Sequence, residues 1–272
     1  MKYVIIGGVA GGATAAARMR RADEFAEIVL FEKGKYISYA NCGLPYYIGG
    51  TIGDRDKLFL QTPATFGNKF NVDVRTESEV LAIDTEAKIV QVRRSDDSVY
   101  TESYDKLLLS PGASPVRPPL KGIDSAGIFT LRNVEDTDRI KNYMTSSKVK
   151  DAVVVGAGFI GLEMAENLVH AGAQVSVVER DNQVMAPVDF SIASHVHQHL
   201  LQKGVRLFLE ESVERFEKKG DKIEVSFSSD KSCNRYGYTL YRGTPGNRVG
   251  KAAGLKIGET GGIWSMSILK LR

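Results

Sequence analysis

The chain has 272 residues, a formal net charge of +3 and 25% charged residues. That length suffices for about two domains of roughly 100–200 residues each. The basic residues form no tract and no apolar run reaches about 18 residues, so neither a nucleic-acid partner nor a membrane span is expected.

Only two cysteines occur, Cys42 and Cys233, and no basic-then-apolar leader opens the sequence. Sparse cysteine and the lack of a leader predict a reducing, cytoplasmic compartment.

The first 35 residues predict a βαβ unit, an apolar strand followed by a glycine turn, an alanine-rich helix and a second strand. An acidic residue follows twenty positions after the last glycine. The predicted parts are strand Tyr3–Ile6, turn Gly7–Gly12, a helix from about Ala13 to Arg21, strand Ile28–Phe31 and then Glu32.

Such a turn suits a dinucleotide because glycines let the backbone approach a pyrophosphate and the helix N-terminus offers unpaired N–H groups. The carboxylate of Glu32 would accept hydrogen bonds from ribose hydroxyls. Val9 stands where the second glycine of the usual G-x-G-x-x-G would be. We predict dinucleotide binding, the alternative being a glycine-tightened turn with no ligand.

Cys42 follows in the segment YANCGLPY. A cysteine that opens a glycine-flanked turn into a short helix has its thiolate favoured by the helix dipole, which suits a nucleophile toward disulfides. An isolated cysteine is more often a buried structural residue. Its position between two nucleotide fingerprints favours the redox role.

The second fingerprint carries all three glycines. Strand Ala152–Val155 leads into Gly156-Ala157-Gly158-Phe159-Ile160-Gly161, then a helix to about Ala171 and strand Gln174–Val178. Glu179, at the end of that strand, favours the free 2′-hydroxyl of NADH. Arg180 directly after it would accept the 2′-phosphate of NADPH, so both cofactors stay open.

His195, His197 and His199 resemble a metal-binding cluster, but only the first and last share a helix face and no carboxylate or cysteine lies beside them. We expect an ordinary helix surface there and no metal site.

Six ordered segments carry a family resemblance, namely the two fingerprints and the segments SYANCGLPYYIGG, LQTPATF, YDKLLLSPGASP and LRNVED. They closely resemble the pyridine nucleotide-disulfide oxidoreductases, in the single-cysteine branch of coenzyme A-disulfide reductase, NADH oxidase and NADH peroxidase. Dithiol members carry C-x4-C, whose second cysteine would fall on Tyr47. The oxidases and peroxidases have a histidine at the position of Ala10, so coenzyme A-disulfide reductase is the better match and NADH oxidase or peroxidase the alternative.

The resemblance implies an FAD-dependent NAD(P)H:disulfide oxidoreductase that reduces coenzyme A disulfide, or a persulfide, through the single redox cysteine Cys42. Electrons would pass from NADH or NADPH through the flavin to sulfur. The flavin positions it implies are Gly7, Gly8, Val9, Ala10, Gly11, Gly12, Glu32, Lys33, Val80, Ser110, Gly112 and Arg132. The nicotinamide cofactor would contact Gly156, Gly158, Phe159, Ile160, Gly161, Glu163, Glu179 and Arg180, with Phe159 and Glu163 near the flavin.

The coenzyme A positions that the resemblance implies are Thr14, Arg18, Arg21, Ser38 and Asn41. Members of the subfamily often have glutamine where Arg18 stands. Arg18 and Arg21 are three residues apart on one helix face and would meet the phosphates of coenzyme A, the alternative being a solvated face.

The implied fold class is α/β, with two Rossmann-like dinucleotide-binding domains. We expect an incomplete FAD domain over residues 1–112, an NAD(P)H domain over 113–230 and an anomalous stub over 231–272. The resemblance also implies a C-terminal interface domain that forms the family's homodimer, and we expect residues 231–272 not to supply it. A truncated, inactive nucleotide-binding product is therefore a further alternative.

The resemblance breaks after about Asp230 and resumes over Gly250–Ile263. Residues 235–247 can be encoded by bases that spell DMVILSIGVRPET when read in a shifted frame, which predicts a frame slip there. Arg235, Tyr236 and Tyr238 replace an apolar run and suit a buried parallel strand poorly.

Overall fold

The computed structural model describes residues 1–220, 222–229 and 246–259, together with the backbone of 232–239 and 243–245. The chain forms two compact units. The first comprises residues 1–40, 59–114 and the described residues from 244 onward, and the second comprises 41–58 and the described residues of 115–243. The segment that carries Cys42 thus belongs to the second unit.

A parallel four-stranded sheet in the order β3-β2-β1-β7 forms the centre of the first unit. Its strands are β1 (Lys2–Ile6), β2 (Glu27–Phe31), β3 (Asp73–Arg75) and β7 (Lys106–Leu109). Helices α1 (Ala10–Ala22) and α3 (Pro63–Phe70) connect them. Because strand residues alternate between faces, Ile5 packs with the alanines of α1, while Val4 lies in a separate hydrophobic cluster.

An antiparallel three-stranded sheet contributes to the cluster around Val4. It consists of β4 (Glu79–Asp84), β5 (Ile89–Arg93) and β6 (Val99–Ser103). Helix α7 (Arg248–Ala252) supplies Val249 to the same cluster. The part of the tail in which the family pattern resumes therefore packs in the first unit.

The second unit repeats this strand order within a sheet of six, β11-β10-β9-β14-β13-β12. Strands β9, β10, β11 and β14 are parallel neighbours, and β12, β13 and β14 are antiparallel. The strands are β9 (Asp151–Val155), β10 (Gln174–Val178), β11 (Arg206–Phe208), β12 (Val213–Lys219), β13 (Lys222–Phe227) and β14 (Ser232–Thr239). The helices are α4 (Val134–Ser146), α5 (Phe159–His170) and α6 (Phe190–Gln202).

Strand β14 contains the residues that we expected to suit a buried parallel strand poorly. The backbone of residues 236–239 pairs in parallel with Ala152–Val155, and the backbone of 232–235 pairs with β13. This segment therefore lies beside β9 as β7 lies beside β1, because ladder hydrogen bonds are made by the main chain whatever the side chains. Residues 240–242 lie outside the described part, and the frame slip stays a prediction.

The segment that begins at Asn41 forms a 3₁₀ turn (Asn41–Gly43), helix α2 (Leu44–Gly49) and a second 3₁₀ turn (Arg55–Leu58). Strands β8 (Ala113–Pro115) and β15 (Gly243–Pro245) make a separate two-stranded sheet. Among the described residues, no helix has the length and apolar character to cross a membrane.

The predicted strands of both βαβ units are confirmed, to within one residue at each end. The first helix begins at Ala10, three residues earlier than we expected. Gly11 and Gly12 thus lie in the first turn of the helix and not in the loop before it.

Candidate functional site

Two glycines fix the first turn. Gly7 has φ +100°, and a Cβ there would lie 2.0 Å from the carbonyl oxygen of Ser110. A Cβ on Gly12 would lie 1.7 Å from the carbonyl oxygen of Gly7. Neither contact is possible for a larger residue, so the strand and the helix can pack this closely only with glycine at both positions.

The peptide groups of Gly8 are held from two sides. Its N–H donates to Glu32 Oε2 at 2.7 Å, and its carbonyl oxygen accepts from the Ser38 N–H at 3.0 Å. The other carboxylate oxygen of Glu32 accepts from the Gly34 N–H at 2.8 Å. Because each carboxylate oxygen can accept two hydrogen bonds, Glu32 keeps acceptor capacity for ribose hydroxyls.

Val9 is compatible with this geometry although it replaces a glycine. It is the N-cap residue of α1, with φ −94° and ψ −128°, so its φ is negative, and its side chain makes no capping hydrogen bond. The first residues of α1, Ala10 and Gly11, are exposed. The first-turn N–H groups of a helix have no intrahelical partner, so this end fits a pyrophosphate.

The second turn has the same hydrogen bonds. Gly156 has φ +96°, and a Cβ on Gly161 would lie 2.0 Å from the Gly156 carbonyl oxygen. The Ala157 N–H donates to Glu179 Oε2 at 2.7 Å, and the Ala157 carbonyl oxygen accepts from the Met185 N–H at 2.9 Å. Ala157 and Glu179 are thus the counterparts of Gly8 and Glu32.

The second turn is open toward a ligand. A Cβ on Gly158 would meet no atom within 4 Å, and α5 begins there without a side-chain cap. Phe159 and Ile160 are 57% and 54% exposed. The pKa of Glu163, on the same helix, is raised mainly by burial and to a smaller extent by the negative charge of the nearby Glu166. The open turn fits a second dinucleotide, with large apolar side chains exposed beside it.

Cys42 is an exposed free thiol in the 3₁₀ turn that precedes α2. The alternative of a buried structural cysteine is therefore wrong. The neighbouring Asn41 Oδ1 is buried and has no hydrogen-bond partner among the described residues. A buried acceptor of this kind requires a donor, which is consistent with a polar ligand next to the thiol.

Three contacts hold the thiol segment onto α4 and α5. A Cβ on Gly49 would lie 2.5 Å from Asn167 Oδ1 and 2.9 Å from its backbone oxygen, so α2 and α5 are in close contact. Lys141 Nζ donates to the Tyr47 carbonyl oxygen and lies 3.6 Å from the centroid of its ring. Arg55 makes a bidentate salt bridge with Asp138.

The sequence analysis missed these docking residues. The sequence held one clue to Asn167, because it is a polar residue within the apolar helix α5. In the structure it is 2% exposed. Lys141 and Arg55 carried none, because basic residues on amphipathic segments are usually solvated. Burial lowers the pKa of Lys141.

The arginines of α1 divide into two groups. Arg18 and Arg21 are exposed, as is Thr14. Arg20, between them, donates to five backbone carbonyl groups, those of Asp23, Glu24, Ala26, Phe70 and Asn71. Arg20 therefore closes the end of the βαβ unit, which leaves Arg18 and Arg21 as the guanidinium groups that a phosphate can reach.

The remaining flavin positions lie in different surroundings. Lys33 Nζ donates to Glu79 Oε1 at 2.8 Å, which together with Arg93 lowers the pKa of Glu79. The Val80 side chain is 5% exposed and belongs to the cluster around Val4. Ser110 lies against Gly7 and Gly11, and Gly112 accepts from the Gly246 N–H at 2.7 Å. Arg132, in the second unit, donates its backbone N–H to Asp136.

The three histidines of α6 differ in role. His195 and His199 are exposed. His197 is partly buried, and its Nε2 accepts from the Val184 N–H at 3.1 Å. The expectation of an ordinary helix surface is therefore wrong for His197. In the part of the chain that the structure describes, no group of three potential metal ligands occurs.

The first unit brings together the first glycine turn, Glu32, Lys33, Ser38, Ser110 and Gly112, with Thr14, Arg18 and Arg21 along α1. The second unit contains Asn41, Cys42 and Arg132 together with the second turn, Glu163, Glu179 and Arg180. Arg180 is exposed, and its Nε lies 3.6 Å from Asp181 Oδ1.

Comparison with known proteins identifies the family. The pattern of the pyridine nucleotide-disulphide oxidoreductases matches residues 1–265. Coenzyme A disulfide reductase of Staphylococcus epidermidis is 39% identical over 234 residues, which are 86% of this chain and 52% of that protein.

Two solved structures extend the likeness. Reduced CoADR-RHD of Bacillus anthracis has a TM-score of 0.92 and 45% identity, over 96% of this chain and 47% of that one. The NAD-dependent persulfide reductase of A. fulgidus has a TM-score of 0.92 and 37% identity, over 97% of this chain and 50% of that one. The chain thus spans about half the length of these relatives.

Proposed function

We propose that this chain, which belongs to the pyridine nucleotide-disulphide oxidoreductase family, is part of an FAD-dependent NAD(P)H:disulfide reductase whose redox thiol is Cys42. The substrate is a small disulfide or persulfide, and coenzyme A disulfide is the first candidate. The observation that carries the proposal is the exposed thiol of Cys42 beside the unpartnered Asn41 Oδ1.

The single thiol follows from what occupies position 47. Tyr47 stands where dithiol members have their second cysteine, and both its ring and its carbonyl oxygen contact Lys141. This side chain therefore has a packing role in α2. With no resolving cysteine at that position, Cys42 must form its mixed disulfide with the substrate itself.

Residues of the two turns would hold the cofactors. The first turn and Glu32 would bind the pyrophosphate and ribose of FAD, and the second turn and Glu179 those of NADH or NADPH. When bound, FAD accepts a hydride equivalent from the nicotinamide and returns two electrons to sulfur. Arg18 and Arg21 would pair with the phosphates of a coenzyme A substrate.

The thiol step balances in atoms and electrons. The Cys42 thiolate attacks one sulfur of the substrate disulfide, so that the Cys42–substrate bond forms, the substrate disulfide breaks and one thiolate leaves. Two electrons from NAD(P)H then break the mixed disulfide, which releases the second thiolate and restores the Cys42 thiolate. The two leaving thiolates become thiols by taking up two protons, one from solvent and one that originates from NAD(P)H. One disulfide and one NAD(P)H are therefore consumed per cycle.

The test separates the thiol from the cofactors. In the protein supplied with excess FAD, Cys42→Ser should abolish NAD(P)H oxidation that depends on coenzyme A disulfide, while NAD(P)H still bleaches the flavin absorbance, because that reduction precedes the thiol step. Cys233→Ser is the matched control and should keep turnover. Disulfide reduction that survives in Cys42→Ser would rule out this assignment.

A further inference from the structure

We propose that His197 is a positioning residue for the second dinucleotide site, a role that rests on the proposed binding of NADH or NADPH there. Its Nε2 accepts a hydrogen bond from the Val184 N–H at 3.1 Å. The next residue, Met185, donates its N–H to the carbonyl oxygen of Ala157, in the glycine turn. His197 is therefore connected to the glycine turn through two consecutive residues, Val184 and Met185.

The chain of contacts continues to the ribose-reading carboxylate. The Ala157 N–H donates to Glu179 Oε2 at 2.7 Å, so the Ala157 residue is held by Glu179 on one side and by Met185 on the other. If Met185 moves, the Ala157 carbonyl oxygen loses its partner, and the turn is no longer fixed against the carboxylate. The imidazole thus acts on Glu179 through Val184, Met185 and Ala157.

The loop needs this support because its backbone is strained. Met185 has φ +51°, which side-chain-bearing residues adopt only when surrounding contacts enforce it. Val184 is fully buried, so its N–H has no water to replace the imidazole acceptor. Loss of that acceptor would leave a buried donor unpaired beside a strained residue.

Only the neutral imidazole with its proton on Nδ1 can accept at Nε2. Burial lowers the pKa of His197, which favours this neutral form in the folded protein. Folding therefore gains most from His197 above its ordinary pKa, and the gain is lost as the pH falls through the lowered value. The charged or titratable groups on the surrounding segments are Arg180, Asp181, Asp189, His195, His199, Lys203 and Arg206.

The experiment measures NADH binding to the 272-residue chain by calorimetry, at a temperature well below unfolding. His197→Leu keeps the volume but removes the acceptor, and should raise the Kd about tenfold, whereas His197→Gln, which offers an amide oxygen, should restore it to within about threefold. His195→Leu, an exposed neighbour on α6, is the matched control and should leave the Kd unchanged. Equal Kd values for His197→Leu and the unaltered chain would overturn the inference.

A pH series supplies a readout that general destabilisation would not mimic. Between about pH 7.5 and 5.5, the NADH Kd of the unaltered chain should rise as His197 takes up a proton, and that of His197→Gln should rise less. Parallel curves would refute the role of His197 even if His197→Leu fails to fold. If the unaltered chain binds neither NADH nor NADPH, the proposed function fails instead, so the two failures are distinct.

Discussion

The two glycine turns have the same backbone and different surroundings. In each, a carboxylate accepts from the second peptide N–H of the turn, and that residue's carbonyl accepts from a residue with positive φ, Ser38 (+47°) in one and Met185 (+51°) in the other. The first helix begins with small residues, whereas the second begins with the exposed Phe159 and Ile160. The difference teaches that the glycine turn is a main-chain structure that both units share, whereas the side chains around it differ.

The loops that return to the turns also differ. Beyond Met185 the chain enters α6 directly, because Asp189 is its N-cap residue. Beyond Ser38 it makes an excursion over residues 41–58, which carries Cys42, and then returns, where the Leu60 N–H donates to the Ser38 carbonyl oxygen. The thiol segment is therefore an addition at a point where the second turn has only a short connection.

The largest expected effects come from the last glycine of each turn. Gly12→Ala and Gly161→Ala place a methyl group against a backbone carbonyl oxygen, at 1.7 and 2.0 Å, and each should lower the free energy of unfolding by about 3 kcal/mol or more. Gly12→Ala should abolish FAD retention, and Gly161→Ala should abolish NADH binding. Denaturant unfolding and both binding assays test this. A variant with unaltered stability and binding would contradict the close helix–strand contact.

The middle position of the turn should separate ligand binding from stability. Gly158 has φ −75° and open space around it, so Gly158→Ala should cost only about 0.5–1 kcal/mol, the difference between glycine and alanine at an N-cap. The added methyl group should nevertheless weaken NADH binding about tenfold, because the pyrophosphate approaches the backbone there. The paired change Val9→Gly should leave FAD binding equal or tighter. If Gly158→Ala binds NADH normally, the middle glycine is dispensable in both turns.

The two carboxylates should discriminate between cofactors. Glu179→Ala should weaken NADH about tenfold and NADPH less, since the carboxylate accepts from a 2′-hydroxyl and repels a 2′-phosphate. Glu32→Ala should weaken FAD and leave the preference between NADH and NADPH unaltered. Steady-state kinetics with both nicotinamide cofactors measure the ratio. Equal losses for NADH and NADPH in Glu179→Ala would mean that Glu179 does not read the ribose.

Much of this arrangement could be predicted from sequence because it depends on local rules. Glycine is required at position 7 by its positive φ and at position 161 by the nearby carbonyl oxygen of Gly156. The apolar strands that precede the turns are recognisable by composition. The exposure of Cys42 does not follow from such local rules, since an isolated cysteine is more often buried and only its position between two fingerprints favours the redox role.

Contacts between distant segments could not be predicted. Packing brings Lys141 of α4 against Tyr47 of α2, and neither this contact nor that of His197 with Val184, in the loop before α6, has a characteristic spacing. The backbone at 232–239 forms a strand although Arg235, Tyr236 and Tyr238 suit a buried parallel strand poorly, because the main chain makes the pairing. Local sequence patterns therefore predict the two glycine turns. The residues that hold the surrounding loops can be identified only from the structure.

The smallest expected effect concerns the docking of the thiol segment, which has no counterpart at the second turn. Lys141→Met keeps the length of the side chain but removes the amine that donates to the Tyr47 carbonyl oxygen, and the loss of this hydrogen bond should cost about 1 kcal/mol. Labelling of Cys42 by a thiol reagent, measured in a Cys233→Ser background, should become severalfold faster. The exposed Lys150→Met is the matched control. An unchanged labelling rate in Lys141→Met would mean that Gly49 and Arg55 suffice to hold the segment.

The same contact predicts a pH dependence with a definite sign. Burial lowers the pKa of Lys141 below 10.5, so the unfolded chain binds more protons than the folded chain between those two pKa values. The free energy of unfolding of the unaltered protein should therefore rise relative to Lys141→Met as the pH increases through that interval. Urea unfolding of both proteins at several alkaline pH values measures the difference. A difference that falls with pH would indicate that the ammonium charge itself, through the Tyr47 ring, outweighs the cost of its burial.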